Sequence, residues 1–167
     1  MTSSIFLVLA GIKGGTQVDA YKSDDAIDVL AWSWGASNSG TTHVGQGSGG
    51  GSSAFMDLSV TKEIDKASPT MMSYLASGKH IPEGRLICTR SGNDTSDAYV
   101  EYLVIEFKDA IFTSRSLGGS NGERMLTENW SINFGSFKET YSEQNADGTK
   151  GTDIPIEWDI AAKKASF

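Results

Sequence analysis

The sequence predicts a mainly β protein, a single-domain β-barrel over residues 1–167 with one short α-helix. Three observations carry this reading. Short apolar or alternating runs recur along the chain, turn residues separate them, and only one segment combines helical spacing with helix-ending residues. No repeat at the period of a solenoid or propeller is visible.

The first run, Ile5 to Ile12, is continuously apolar and stops at Gly14-Gly15, as a strand covered on both sides would. Thr16 to Asp25 is polar and reads as a loop. Ile27 to Gly35 comes next as a strand. Strict alternation puts Asp28, Leu30, Trp32 and Trp34 on one face and Ile27, Val29, Ala31, Ser33 and Gly35 on the other. It runs out into a glycine-rich stretch ending near Gly51. Beyond that stretch, Ala54, Met56, Leu58 and Val60 alternate with Phe55, Asp57, Ser59 and Thr61 as a half-buried strand.

The helical segment begins at Ser68, which suits a cap, and Pro69, which suits the first helical position. Met71, Met72 and Leu75 form its apolar stripe, and Gly78 ends it. A helix this short would plug one opening of a β structure. Strands are expected at Arg85 to Arg90 and at Tyr99 to Phe112, the second apolar on both faces, with a turn at Asn93-Asp94 between them. Leu117 to Gly122 connects to a further strand in which Trp130, Ile132 and Phe134 share a face. The phase then slips at Gly135-Ser136, where a bulge is expected because Phe137 and Tyr141 are odd-numbered. A turn at Ala146-Asp147-Gly148 precedes a last strand carrying Ile154, Ile156, Trp158 and Ile160. The tally is seven or eight strands.

Composition narrows the chemistry. A net charge of −7 repels phosphate backbones and argues against nucleic-acid binding. The single cysteine, Cys88, has no disulfide partner, and with only His43 and His80 beside it no zinc cluster is nominated. No segment reaches the roughly 20 apolar residues of a membrane-spanning helix. The apolar start of the chain lacks the basic flank of an export signal and reads as a strand.

Two formal catalytic motifs dissolve on their context. Gly45 to Gly50 satisfies G-x-G-x-x-G, but the residues after it alternate like a strand rather than opening a helix, so no pyrophosphate site is expected. Gly118-Gly-Ser120-Asn-Gly122 satisfies G-x-S-x-G, yet no histidine comes after it to serve as base. Asn129-Trp-Ser131, a formal glycosylation acceptor, reads as an ordinary strand triplet. No catalytic residue, cofactor site or metal site is nominated, and the protein is not expected to be an enzyme. There remains an excess of apolar strand faces, which another copy of the chain would bury, or else the helix and loops.

Several motifs in order along nearly the whole chain sharpen this. They are Ile27-Asp-Val-Leu-Ala-Trp-Ser-Trp-Gly35 with the glycine loop beyond it, Asp57-Leu-Ser-Val-Thr-Lys62, Ser77-Gly-Lys-His80, Val100-Glu-Tyr-Leu-Val-Ile105 and Leu126-Thr-Glu-Asn-Trp-Ser-Ile-Asn-Phe134. Together they resemble the haemolysin-coregulated proteins (Hcp), tube subunits of bacterial type VI secretion systems. The resemblance implies a β-barrel subunit assembling as a homo-hexamer into a ring. It also implies rings stacked into a tube, a contractile sheath around it, a trimeric spike at its tip and small effector proteins in the lumen. Membrane insertion is not expected, and such subunits are made in the cytoplasm and secreted through the apparatus without a cleaved signal peptide.

Residue by residue, the family's lumen-facing serine between two tryptophans matches Ser33, a candidate for contact with cargo. The extended loop that reaches a neighbouring subunit or ring matches Gly45, Gly47, Gly49, Gly50, Gly51, Ser52 and Ser53. Residues 16–25 and 93–97 match no motif. Three other readings stay open from the sequence: a monomeric barrel that binds carbohydrate or peptide on Trp32, Trp34 and Trp158, a phage tail tube subunit, and a hydrolase around Ser120.

Overall fold

A computed structural model describes residues 3–40, 51–92 and 99–167. Its strands are β1 (Ser4–Leu9), β2 (Ile27–Val29), β3 (Ala31–Ser33), β4 (Ala36–Asn38), β5 (Ser53–Phe55), β6 (Leu58–Glu63), β7 (Ile81–Ser91), β8 (Tyr99–Gly118), β9 (Thr127–Asn133), β10 (Ser136–Gln144) and β11 (Lys150–Asp159). Helix α1 is Asp19–Lys22 and α2 is Ser68–Ser77. The mainly β barrel expected from the sequence is present, with more strands than expected, some shorter and two, β7 and β8, longer. The expected loop at 16–25 carries the one-turn α1, and the long segments at 27–35 and 54–61 are each broken in two.

Pairing runs β2-β1-β7-β8-β9-β6-β3, with every contact antiparallel. The two ends of that order are consecutive in sequence and separated by Leu30 alone, whose N–H donates to Thr61 O at 2.8 Å. One stretch of chain, Ile27 to Ser33, therefore starts beside β1 and finishes beside β6, and the sheet returns on itself. Closure removes edges that would otherwise invite foreign strands.

The crossing at Leu30 corrects the strict alternation expected there. Ile27 and Val29 are buried, and Trp32 and Trp34 pack against the same core from even-numbered positions, while Leu30, Ala31 and Ser33 are exposed. A strand that changes sheets at a corner can bury odd positions before it and even positions after it. The 54–61 segment is divided in a related way. Alternation holds from Leu58, Val60 and Lys62, all buried, whereas Ala54 is exposed in a separate ribbon of β4 and β5 and Met56 is exposed in the link from β5 to β6.

Strand β8 pairs with β7 along one edge. Along its other edge it meets β10 over Leu103 to Lys108 and β9 over Ile111 to Gly118. The chain of β9 and β10 thus tracks β8 from Leu103 to Gly118, broken at Phe134-Gly135. The bulge expected from the sequence is instead the junction between two strands. Asp109 opposite it has φ +54°, and Gly135 N donates to Lys108 O at 3.0 Å. Here the sheet forks. Strand β9 goes on to β6 and closes the barrel, whereas β10 goes on to β11, which pairs with no further strand among the described residues.

The core lies between these branches and includes Leu7, Leu9, Ile27, Leu58, Val60, Leu86, Ile105, Phe107, Trp130 and Ile132. Helix α2 lends it Met71. Gly78 ends that helix at φ +66°, a conformation that glycine adopts without strain. The cap at the other end is Ala67, not Ser68 as the sequence suggests. A smaller cluster of Phe6, Tyr21, Ala26 and Ile87 lies on the outer side of β1 and β7, where Phe6 and Tyr21 stack at 4.3 Å between ring centres. Segment 16–25, featureless in sequence, covers the second apolar face of β1.

Candidate functional site

Three surfaces stand out. The first is the solvent face of the closed branch. Across it the registers align Ser33, Ser59, Ser131 and Ser114 in one row and Ala31, Thr61, Asn129 and Ser116 in the next. The opposite side of the same strands carries Leu58, Val60, Trp130 and Ile132 in the core. Ser33, the serine singled out between two tryptophans, is exposed in this row. Its neighbours were missed, although Ser and Thr alternating with buried apolar residues at 58–61 and 129–133 is a signal visible in the sequence.

The polar side chains on this face engage one another. Thr61 Oγ1 donates to Asn129 Oδ1 at 2.6 Å. Asp57 accepts from Thr113 Oγ1 at 2.6 Å and from Asn133 Nδ2 at 2.9 Å. Hydroxyls and amides give such a surface many directional contacts while leaving it hydrated.

Behind this wall lies a buried ionic network that sequence reasoning did not find. Lys62 and Glu128 have fully buried side chains. Lys62 Nζ donates to Glu128 Oε1 at 2.7 Å, Asp65 Oδ1 at 2.9 Å, Ser68 Oγ at 3.0 Å and Glu63 O at 3.0 Å. Arg115 donates to Glu128 Oε2 through Nε at 2.9 Å and NH2 at 2.7 Å, and the Ser68 hydroxyl donates to Glu128 Oε1 at 2.5 Å. Burial pushes the Glu128 carboxyl up, but the bonds from Lys62, Ser68 and Arg115 outweigh it and hold it at about 2. The buried Trp130 Nε1 beside it finds no hydrogen-bond partner among the described residues. One carboxylate therefore ties β6, β8, β9 and the start of α2 together. The Ser68 hydroxyl, expected to cap the helix, is engaged here instead.

The second surface is the underside of the open branch. Phe137 pairs with Trp158, Glu139 with Ile156 and Tyr141 with Ile154, on the same side as core residues Phe107 and Ile105. Near the fork these positions are covered. Farther out Tyr141 is 41%, Ile154 55% and Ile156 56% exposed. The alternation of 154, 156, 158 and 160 expected for the last strand is present, but its outer half faces solvent.

The third is the β4–β5 ribbon. Trp34 and Phe55 anchor it, stacking with ring centres 6.2 Å apart, and Trp34 Nε1 donates to Met56 O at 2.9 Å. Gly51 lies so close to Ser39 that a Cβ there would stand 1.9 Å from its carbonyl oxygen, a backbone approach that glycine alone permits. Ser52 and Ser53 continue into β5. Gly45, Gly47, Gly49, Gly50, His43 and the turn at residues 93–97 lie outside the described residues.

The remaining sequence motifs that lie among the described residues are spread over separate elements. Ser120 sits in the connection from β8 to β9, which leads into a strand rather than a helix. His80 is exposed beyond α2. Cys88 is buried, and burial raises its thiol above the usual range. Among the described residues, no group of three or more His, Cys, Asp and Glu side chains is placed to hold a metal ion, and no helix is long and apolar enough to cross a membrane. Trp32, Trp34 and Trp158 are half-buried against the core, so they offer no flat ligand platform.

Comparison with known proteins gives one consistent answer. The profile of a family described as type VI secretion system effector, Hcp, matches residues 6–141. Protein hcp1 of Pseudomonas aeruginosa is 41% identical over 161 residues, covering 96% of each chain. The solved structure of Hcp1 from Salmonella typhimurium aligns with a TM-score of 0.80 at 32% identity, over 99% of this chain and 100% of the other. A type VI secretion system effector from Yersinia pestis aligns with a TM-score of 0.71 at 28% identity, over 93% and 98%.

Proposed function

The chain belongs to the Hcp family of type VI secretion proteins, and from that premise we propose that it is the structural subunit of a secreted tube. Residues 1–167 act as one domain, six copies close into a ring, and rings stack into a tube with small effector proteins in its lumen. A contractile sheath surrounds the tube and a trimeric spike caps it. The protein has no catalytic task of its own.

The observation that carries this reading is the open branch. Among the described residues β11 is paired along one side only, with Tyr141, Ile154 and Ile156 exposed on the side that is core elsewhere. Such a surface is stable in water when another copy covers it. In the proposed ring its counterpart on the neighbour is a different surface. Contacts of that heterologous kind generate rings when the rotation closes.

The hydroxyl face of the closed branch supports a lumen position for Ser33, since small uncharged groups leave space and offer hydrogen bonds to cargo. Gly51, Ser52 and Ser53 sit at the end of the ribbon away from the Trp34–Phe55 anchor, which supports a role in contacts with an adjacent subunit or ring. Light scattering with negative-stain imaging tests the assembly. The expected outcome is a species of six subunit masses with a central hole, and a monomer at high concentration would overturn it.

A further inference from the structure

The ribbon and the open branch share one aromatic joint. Phe137, on β10 beside Trp158 of β11, stands 4.8 Å from Trp34 and 5.2 Å from Phe55 between ring centres. Phe134, at the fork, stands 5.8 Å from Trp34 and 6.3 Å from Phe137, and stacks on Phe107 of β8 at 5.2 Å. Among the described residues the ribbon's two strands pair only with each other, and of its paired residues Phe55 alone is withdrawn from solvent. A two-stranded ribbon is marginal in water by itself, so its orientation depends on what its root grips. Here the root grips the strand pair whose outer half carries the exposed Tyr141, Ile154 and Ile156.

We infer that this joint couples lateral assembly to the ribbon: a second copy seated on the open branch fixes the pose of β10 and β11, and Phe137 passes that order through Phe55 and Trp34 to β4 and β5. The inference rests on the ring reading above, with the open branch as a subunit contact. It adds a sequence of events, in which the ribbon becomes ordered when the ring closes and only then offers a fixed surface to further partners. Because coupling free energies are reciprocal, a disordered ribbon must in turn weaken the lateral contact by the same factor. The physical route is a contiguous set of packed rings, with the two sites being the outer half of β11 and the strands of the ribbon.

Hydrogen exchange at the amides of Ala36–Asn38 and Ser53–Phe55 tests it, measured on the ring and on monomer obtained by dilution or by Ile156→Ser. Wild-type ring should protect these amides about tenfold more than monomer, within the ordinary range of coupling between sites. In Phe55→Ala the ring should still form at raised concentration while the gain in protection disappears. Phe55→Leu, which keeps apolar burial but removes the ring contacts, should lose most of the gain if Phe55→Ala folds poorly. Equal protection in ring and monomer overturns the coupling. So does a gain that survives both variants, because the protection then comes from direct cover by the neighbour. A wild type that never assembles overturns the tube reading itself, a result separate from either.

Discussion

The two branches that leave β8 are built from similar strands yet end in opposite conditions. The closed branch buries Leu58, Val60, Trp130 and Ile132 and turns serine, threonine and asparagine outward. The open branch turns outward a charged, regular face, where Arg85, Glu106, Lys138 and Glu157 succeed one another across β7, β8, β10 and β11. It leaves apolar side chains uncovered beneath. The closed branch completes itself within one chain, whereas the open branch stays uncovered among the described residues and would be completed by a neighbouring copy in the proposed ring. Amphipathic alternation alone is the same in both, so they are separated by whether a strand further along returns to cover the face.

The largest expected effect lies in the closed branch. Glu128→Ala leaves Lys62 buried without its anionic partner and should cost about 3–5 kcal/mol of unfolding free energy in urea melts. The paired change Lys62→Met with Glu128→Leu should restore stability to near the wild type, since apolar residues of similar volume often replace a buried pair without loss. A single Glu128→Ala cost below about 1 kcal/mol would show that water reaches Lys62 and that the branch is less closed than it looks.

In the open branch the effect should fall on assembly. Ile154→Ser with Ile156→Ser should weaken subunit association about 100-fold by concentration-dependent light scattering. The melting curve of the monomer should move little, because exposed positions contribute little to folding. A large loss of monomer stability would mean that the outer half of β11 already belongs to the core.

Acid separates the branches further. The Glu128 carboxyl is held at about 2, against 4.5 for a free one. A depressed carboxylate contributes stability that is present in full above the unfolded value and is lost as pH falls through the folded one. The network's contribution should therefore decline between about pH 4.5 and 2, and Glu128→Gln should flatten that part of the stability profile. An unchanged slope in that variant would remove the network as the cause.

The smallest structural effect is expected at Ser33. Ser33→Gln should shift stability by less than about 0.5 kcal/mol and leave the ring intact, while reducing effector retention in a pull-down. Unchanged retention would take Ser33 out of the lumen wall.

Much of this division is legible in the sequence, and its gaps have physical reasons. Trp130, Ile132 and Phe134 announce a buried face because β9 is straight and alternates. Ile27 to Trp34 misleads because the chain changes sheets at Leu30, and a corner resets the phase without any glycine or proline to mark it. The slip at Gly135 is visible, but a bulge and a fork look alike in one strand, since the difference lies in which partner pairs on the far side. Lys62 is unreadable as a buried cation, because its anionic partner Glu128 comes from β9 and is distant in sequence. Ser33 is found through resemblance, whereas its row of neighbours needs the registers.

Strand β8 also has a mechanical meaning. Its 20 residues serve both branches, a contour of about 65 Å at the rise of an extended chain. In the proposed ring, a push delivered to the open branch by a neighbouring subunit would enter β10 and pass along β8 into β9. For a load along β8, the hydrogen bonds of the antiparallel ladders on that path would resist together in shear instead of opening one at a time. A subunit built around such a strand would yield last along the axis of its longest ladder, and the Asp109–Gly135 junction, where pairing passes from one partner to the other, is where it would bend first.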